Sequence, residues 1–133
     1  TSGFELNEKY VGKYKNDIVK QEGNSFVKYG ERILEIDSIE NGVVTGRYYE
    51  EYNDEYTHDT ERAFEFSSEI STENYYISFA YTENGEEKTG VIQETGMQNL
   101  MVSLDVEIEE DGRGYRYNDT YKDFDQTFIR IFE

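Results

Sequence analysis

Two runs of β-branched and aromatic residues flank an Asn-Gly pair in the first half of the chain. The segment extends from Arg32 to Tyr52, and Asn41-Gly42 lies between its two runs. Asn and Gly both tolerate the positive φ angles that a two-residue hairpin turn requires. β-Branched and aromatic side chains suit a pleated, half-buried surface. The pattern predicts a β-hairpin whose second arm places Val44, Gly46 and Tyr48 on one face.

The same alternation of apolar and polar positions recurs along the rest of the chain. Tyr75–Tyr81 alternates strictly and leads into a second Asn-Gly turn at Asn84-Gly85, and Leu100–Ile108 alternates with its apolar positions facing in. Asp111-Gly112 predicts a third turn, and Asn53–Thr60 reads as a polar loop. Further strands are predicted at Tyr10–Asn16, Ala63–Ile70, Glu87–Gln93 and Thr127–Phe132, with Gly114–Tyr121 as an optional addition.

Two early segments allow alternative interpretations. Tyr10, Tyr14 and Ile18 also fall at helical spacing, so a helix competes with the first strand, and we favour the strand. Gln21–Gly30 contains Gly23-Asn24 and predicts either a loop or a short hairpin. Residues 1–9 are expected to form a leader.

The number and spacing of these segments predict a single all-β domain over residues 1–133. Eight strands, or nine with the optional one, are typical of an antiparallel up-and-down barrel or of a sandwich. Tight turns between sequential strands favour the barrel. An eight-stranded barrel has an interior that side chains just fill or that holds one small ligand. Closure also removes exposed strand edges.

Composition narrows the classes of partner. The chain has 30 acidic and 13 basic residues, which gives a net charge of −17. This charge disfavours nucleic acid and anionic lipid, and it permits a basic protein partner or a merely well-solvated surface. The absence of Cys excludes disulfides and thiolate sites. No apolar run is long enough to span a membrane. Because the chain starts at Thr1 and not at Met, we expect a processed form.

Three short motifs resemble those of the calycin superfamily, which includes lipocalins, avidins and the lipocalin-like domains of bacterial lipoproteins. They are Gly12-Lys13-Tyr14, Val44–Tyr48 and Thr127–Arg130. The resemblance implies a lipocalin-like barrel in which Arg130 packs across Tyr14 and closes one end, a cation–π contact between the first and last strands. Gly12 belongs to the same structural set.

The resemblance also bears on ligand and location. Asn16 matches a ligand position of avidins, but the chain contains no Trp, so the aromatic biotin cage of avidins is not expected. A lipocalin-like domain of this kind implies an exported protein, either extracellular or anchored at the cell surface.

No group of residues predicts catalysis or a cofactor. His58 has Asp59 beside it but no nucleophile, and it reads as an exposed loop residue. Glu107–Gly112 resembles a calcium loop, but Asn118 stands where the bidentate Glu is required, so these acids read as outward strand carboxylates. Asn53–Glu55 with Asp59 forms a second possible cluster of oxygen ligands for a metal ion, and the evidence for it is equally weak. We expect no enzyme and no bound metal.

The surplus of Tyr is the remaining functional signal. We expect Tyr rings at the open end of the barrel to form an amphipathic binding surface. The alternative is that they form cross-strand pairs on the outer face of the sheet. A slip of one residue would exchange Tyr48 and Tyr49 between the two faces. The candidates are Tyr48, Tyr49, Tyr52, Tyr56, Tyr75, Tyr81 and Tyr117.

Together these features predict a monomeric, non-catalytic binding protein with its site at the open end. The expected partner is a small apolar ligand or a basic protein. The alternative function is that of an acidic immunity-type or inhibitor protein that neutralises a basic protein, because strong charge steers association.

Overall fold

The computed structural model describes residues 7–52, 62–72, 76–96, 99–110, 114–117 and 126–132. A 3-10 helix spans Glu8–Tyr10, and every strand pairing in these ranges is antiparallel. The strands are β1 (Gly12–Glu22), β2 (Ser25–Glu40), β3 (Val43–Tyr52), β4 (Ala63–Glu69), β5 (Ser71–Thr72), β6 (Ile77–Glu83), β7 (Glu86–Gly96), β8 (Asn99–Ser103), β9 (Val106–Ile108), β10 (Tyr115–Tyr117) and β11 (Gln126–Ile131).

The main sheet curls into a nearly closed eight-stranded barrel. Its order is β4-β3-β2-β1-β11-β8-β7-β6-β5, so neighbours in the chain are mostly neighbours in the sheet. Last and first strands pair at Tyr14 and Arg130. At the seam, β5 continues β4 and pairs with β6, and the Ser68 hydroxyl accepts a hydrogen bond from the Ala80 amide at 2.8 Å. The predicted all-β, up-and-down barrel is confirmed.

Both Asn-Gly turns have the predicted geometry. Asn41 and Gly42 have φ angles of 53° and 76°, and Asn84 and Gly85 have 53° and 80°. Positive φ at both central positions is the requirement of a type I′ turn, which matches the twist of the flanking strands. The turn predicted at Asp111-Gly112 lies outside the described residues.

The first strand differs from its prediction at both ends. Tyr10 does not open the strand, because it ends the 3-10 helix that Asn7 caps, and β1 begins at Gly12. At its far end β1 runs through Gln21, and the hairpin alternative for Gln21–Gly30 is the one observed. Backbone pairing with β2 maintains the strand there without an apolar periodicity.

The prediction of one continuous strand over Leu100–Ile108 is wrong. Asp105 has a φ of 55° and separates β8 from β9. Leu104 belongs to the main core, whereas Val106 belongs to a second cluster outside the barrel. The optional strand is β10, which pairs with β9 in a separate two-stranded sheet.

Aromatic rings fill the middle of the barrel. Phe64 stacks between Tyr48 and Tyr81, at centroid distances of 5.1 and 4.3 Å, and Phe66 lies 4.9 Å from Phe79. Such pairs add about 0.5–1.5 kcal/mol each beyond their area burial. Gly46 provides room for this packing, since a Cβ there would lie 2.8 Å from the Phe66 ring. The other buried residues of this core are Tyr10, Tyr14, Leu34, Ile36, Ile39, Val44, Ile77, Ile92, Leu100, Val102, Leu104 and Phe128.

The β9–β10 hairpin covers the outer face of β6 and β7. Tyr76 and Val91 pack there against Val106, and the Tyr76 and Tyr115 rings meet edge to face at 5.3 Å. The Gln93 amide donates to the Tyr115 hydroxyl at 2.8 Å. This part of the molecule shows the outer-face Tyr packing that the sequence offered as the alternative use of its tyrosines.

Candidate binding site at the open end of the barrel

The closed end of the barrel, where β1 begins, is sealed by Arg130. Its guanidinium carbon lies 5.3 Å from the centroid of the Tyr14 ring, the contact that the calycin resemblance implied. The guanidinium donates to the Tyr14 hydroxyl at 3.0 Å and to the carbonyl oxygens of Lys9 and Val11 at 2.8 and 2.7 Å. Tyr14 donates in turn to the Tyr10 carbonyl at 2.7 Å. The 3-10 helix is thereby tied to the last strand.

Gly12 leaves the space that this seal needs. A Cβ at Gly12 would lie 2.8–2.9 Å from three atoms of the Arg130 guanidinium. Tyr10 completes the closed end by donating its hydroxyl to the Glu94 carboxylate. Burial and the Glu94 contact raise the pKa of Tyr10, and burial raises the pKa of Tyr14 against the opposing effect of Arg130.

The opposite end of the barrel, where the Asn84-Gly85 turn lies and which we call the open end, carries a second Arg over a second Tyr. The Arg62 guanidinium carbon is 5.6 Å from the centroid of the Tyr48 ring. Arg62 also donates to both oxygens of Glu83, at 2.9 and 2.8 Å, and Lys88 donates to Glu83 at 3.3 Å. A two-pronged guanidinium–carboxylate pair of this kind combines strength with fixed geometry. Hydrogen bonding from Arg62 lowers the pKa of the buried Glu83 although burial opposes the shift.

Glu50 is the second buried carboxylate at this end, only 7% exposed. It accepts from the hydroxyls of Tyr48 at 2.8 Å and Tyr52 at 3.1 Å, and from the Arg62 amide at 3.3 Å. Burying a carboxylate is costly unless hydrogen bonds and charge replace its water, and these donors do so. Burial, with Glu50 as the next cause, raises the pKa of Tyr52 to about 12 and also raises the pKa of Tyr48.

Arg32 extends this network across the first strands. Its Nε lies 4.0 Å from Glu50, and its NH1 donates to the Asn16 side chain at 2.7 Å. Asn16 then donates to the Thr127 carbonyl at 3.0 Å. In this structure Asn16, to which the resemblance assigned an avidin ligand position, binds Arg32 of its own barrel. We call Asn16, Arg32, Glu50, Arg62, Glu83 and Lys88 the mouth network.

The candidate tyrosines separate into different environments. Tyr48 and Tyr81 are buried and each stacks on Phe64, and Tyr81 accepts from the Asp105 amide at 3.0 Å. Tyr52 is half-buried and shares the Glu50 carboxylate with Tyr48. Tyr49 points outward, since it alternates with Tyr48 and pairs in register with Ile33 and Ala63. Tyr117 lies on β10 of the outer hairpin. Tyr56 and Tyr75 are outside the described residues, as are His58, Asp59, Asn53–Glu55 and Asn118.

The charged members of the mouth network were not predicted from the sequence. The inward position of Glu50 could have been predicted from the sequence, because Glu50 continues the inward alternation of Val44, Gly46 and Tyr48. The sequence around Arg62 and Glu83 gives no sign of their pairing, because the two residues meet only when β4 and β6 close the barrel. Nothing local indicates that pairing.

The described ranges contain no group of three or more His, Cys, Asp or Glu side chains placed to hold a metal ion. They also contain no helix long and apolar enough to cross a membrane. A shallow groove of about 450 Å³ lies outside the closed end, beside Glu35 and Asp37, and Arg47 pairs with both acids at 3.1 and 3.9 Å.

Comparisons of the chain with protein-family models, curated proteins and solved structures found no match.

Proposed function

We propose that this chain is a non-catalytic binding protein that takes a basic protein partner at the open end of its barrel. The observation that carries the proposal is the filled interior. The aromatic stack around Phe64 occupies the middle of the barrel, and the mouth network lies between this stack and the open end. A small apolar ligand in the middle would have to displace these rings. A macromolecule that contacts the rim displaces nothing.

The rim of the open end has the chemistry for such a contact. Tyr52 is half-buried there and meets Tyr29 edge to face at 5.8 Å. Glu86 and Glu87 follow the Asn84-Gly85 turn and are exposed. Aromatic rings with a polar tip are common anchors at protein interfaces, and a net charge of −17 steers a basic partner towards the surface. The immunity-type or inhibitor function is one form of this proposal.

A lipocalin-like, calycin relationship is part of the same proposal. The seal between Arg130 and Tyr14 supports it, together with the up-and-down strand order. An extracellular or surface-anchored location rests on that relationship.

Charge reversal at the two ends tests the proposal. The probe is a fluorescent synthetic peptide of alternating Lys and Leu, and fluorescence anisotropy measures its binding at low and at high salt. E86K/E87K reverses charge at the open end, and E40K/E69K makes the same change in net charge at the closed end. We expect the open-end variant to lose about tenfold in affinity and the closed-end variant about twofold. Equal losses, or no binding by the unmodified protein, would refute the proposal.

A further inference from the structure

The hairpin of β1 and β2 extends beyond both of its neighbours. β1 pairs with β11 at Lys13–Lys15, and β2 pairs with β3 from Gly30 onward, whereas β1 and β2 pair with each other as far as Glu22 and Ser25. In the described part of the chain, residues 19–29 therefore pair only with one another. A shift of register after Ile18 marks where this segment leaves the barrel wall. We call residues 19–29 the hairpin arm.

One face of the hairpin arm exposes apolar side chains. Val19 is 55% exposed and Phe26 is 72% exposed. Val19 pairs with Lys28 and Gln21 pairs with Phe26, so Val19 and Phe26 are diagonal neighbours on one face. Soluble proteins commonly protect an extended hairpin edge with charge, because an apolar edge invites association. Two exposed apolar residues on this face therefore indicate a contact surface.

Acidic residues continue the same face towards the barrel. Asp17, Glu31 and Glu51 lie opposite one another on β1, β2 and β3. Lys28 lies 3.5 Å from both Asp17 and Glu31, so its ammonium group connects the arm to this row. Glu51, at the end of the row, is exposed. The row has three carboxylates against the ammonium groups of Lys15 and Lys28, so the border of the apolar pair is net acidic and complements a basic segment that presents an apolar side chain.

We propose that this face of the hairpin arm is the docking surface for a basic, apolar-containing segment of the partner protein. The inference rests on the proposed function and identifies the element that makes the first contact. Charge argues against a second copy of this chain as the occupant, because two molecules of net charge −17 repel each other. A basic segment gains from both the carboxylates and the apolar pair.

Paired variants separate the arm from other exposed apolar residues. V19T/F26S removes the apolar pair of the arm, and I129T/F132S changes two residues of similar exposure, 56% and 74%, elsewhere on the barrel. The probe is the alternating Lys-Leu peptide, and circular dichroism verifies folding of each variant. We expect the arm variant to bind about tenfold more weakly and the control within about twofold of the unmodified protein.

Each outcome of this experiment decides a different statement. If the arm variant binds as tightly as the control while E86K/E87K still weakens binding, the arm inference is wrong and the proposed function stands. If the unmodified protein does not bind the peptide, both are wrong. If sedimentation shows a dimer that V19T/F26S dissociates, the occupant is a second copy, which overturns the basic partner.

Discussion

The two ends of the barrel use the same contact with different partners. Arg130 lies over Tyr14 at the closed end, and Arg62 lies over Tyr48 at the open end. The acceptors of Arg130 are backbone carbonyls and a phenol, which are neutral. Arg62 instead pairs with the buried carboxylate of Glu83. At the closed end a guanidinium is therefore held by neutral acceptors, whereas the open end depends on a buried ion pair.

The largest expected effect comes from breaking the charged end. Arg62→Met leaves the buried Glu83 with Lys88 as its ion-pair partner among the described residues. Removing one member of a buried pair costs about 3–5 kcal/mol of unfolding free energy. Denaturant unfolding measures the loss, and the double variant R62M/E83M should recover part of it because no buried charge is stranded. A loss in R62M smaller than in Arg130→Ala would contradict the comparison.

Breaking the Arg130 contacts at the closed end should cost less. Arg130→Ala removes three hydrogen bonds and two cation–π contacts, those with the Tyr14 and Phe132 rings. We expect a loss of about 2 kcal/mol that salt changes little. Arg130→Lys is the matched control, because it retains the positive charge but not the planar guanidinium. It should recover less than half of the unfolding free energy that Arg130→Ala loses. Thermal unfolding at two salt concentrations measures both variants. An unchanged melting temperature would contradict the claim that Arg130 stabilises the closed end.

Lowering the pH should destabilise the open end through Glu83, with a smaller effect on the unfolding free energy than either substitution has. The pKa of Glu83 is lowered in the folded protein, mainly by Arg62, so its contribution is present above the ordinary glutamate pKa. That contribution is lost as the pH falls through the lowered value. Between about pH 6 and pH 3, the unfolding free energy of the unmodified protein should fall more than that of Glu83→Gln. Equal slopes would show that this carboxylate does not support the open end.

The fold was predictable because its signals are local. Asn41-Gly42 and Asn84-Gly85 specify their turns, and alternation specifies the faces of β3 and β6. The break at Asp105 was not predictable, because apolar alternation continues across it. There the chain leaves the barrel to cover Tyr76, a long-range contact.

The positions of the candidate tyrosines were predictable only in part. Tyr48 and Tyr81 each stack on Phe64 in the interior, and Tyr52 shares the Glu50 carboxylate with Tyr48, whereas Tyr49 lies on the outer face. The buried charges around them depend on strands far apart in the chain. The exposure of Phe26 could not be predicted from the sequence either. Alternation of apolar and polar residues predicts the faces of a strand, but it does not predict how far a hairpin extends beyond the barrel.

Chemical-shift mapping of the alternating Lys-Leu peptide on the unmodified protein tests the central claim most directly. We predict that the shifted amides cluster at the open end, on residues 17–31 of the hairpin and around Glu51, Glu86 and Glu87. Amides beside Arg130 and Asn41-Gly42 should stay unchanged. Shifts concentrated at that closed end, or spread evenly over the acidic surface, would contradict recognition at the open end.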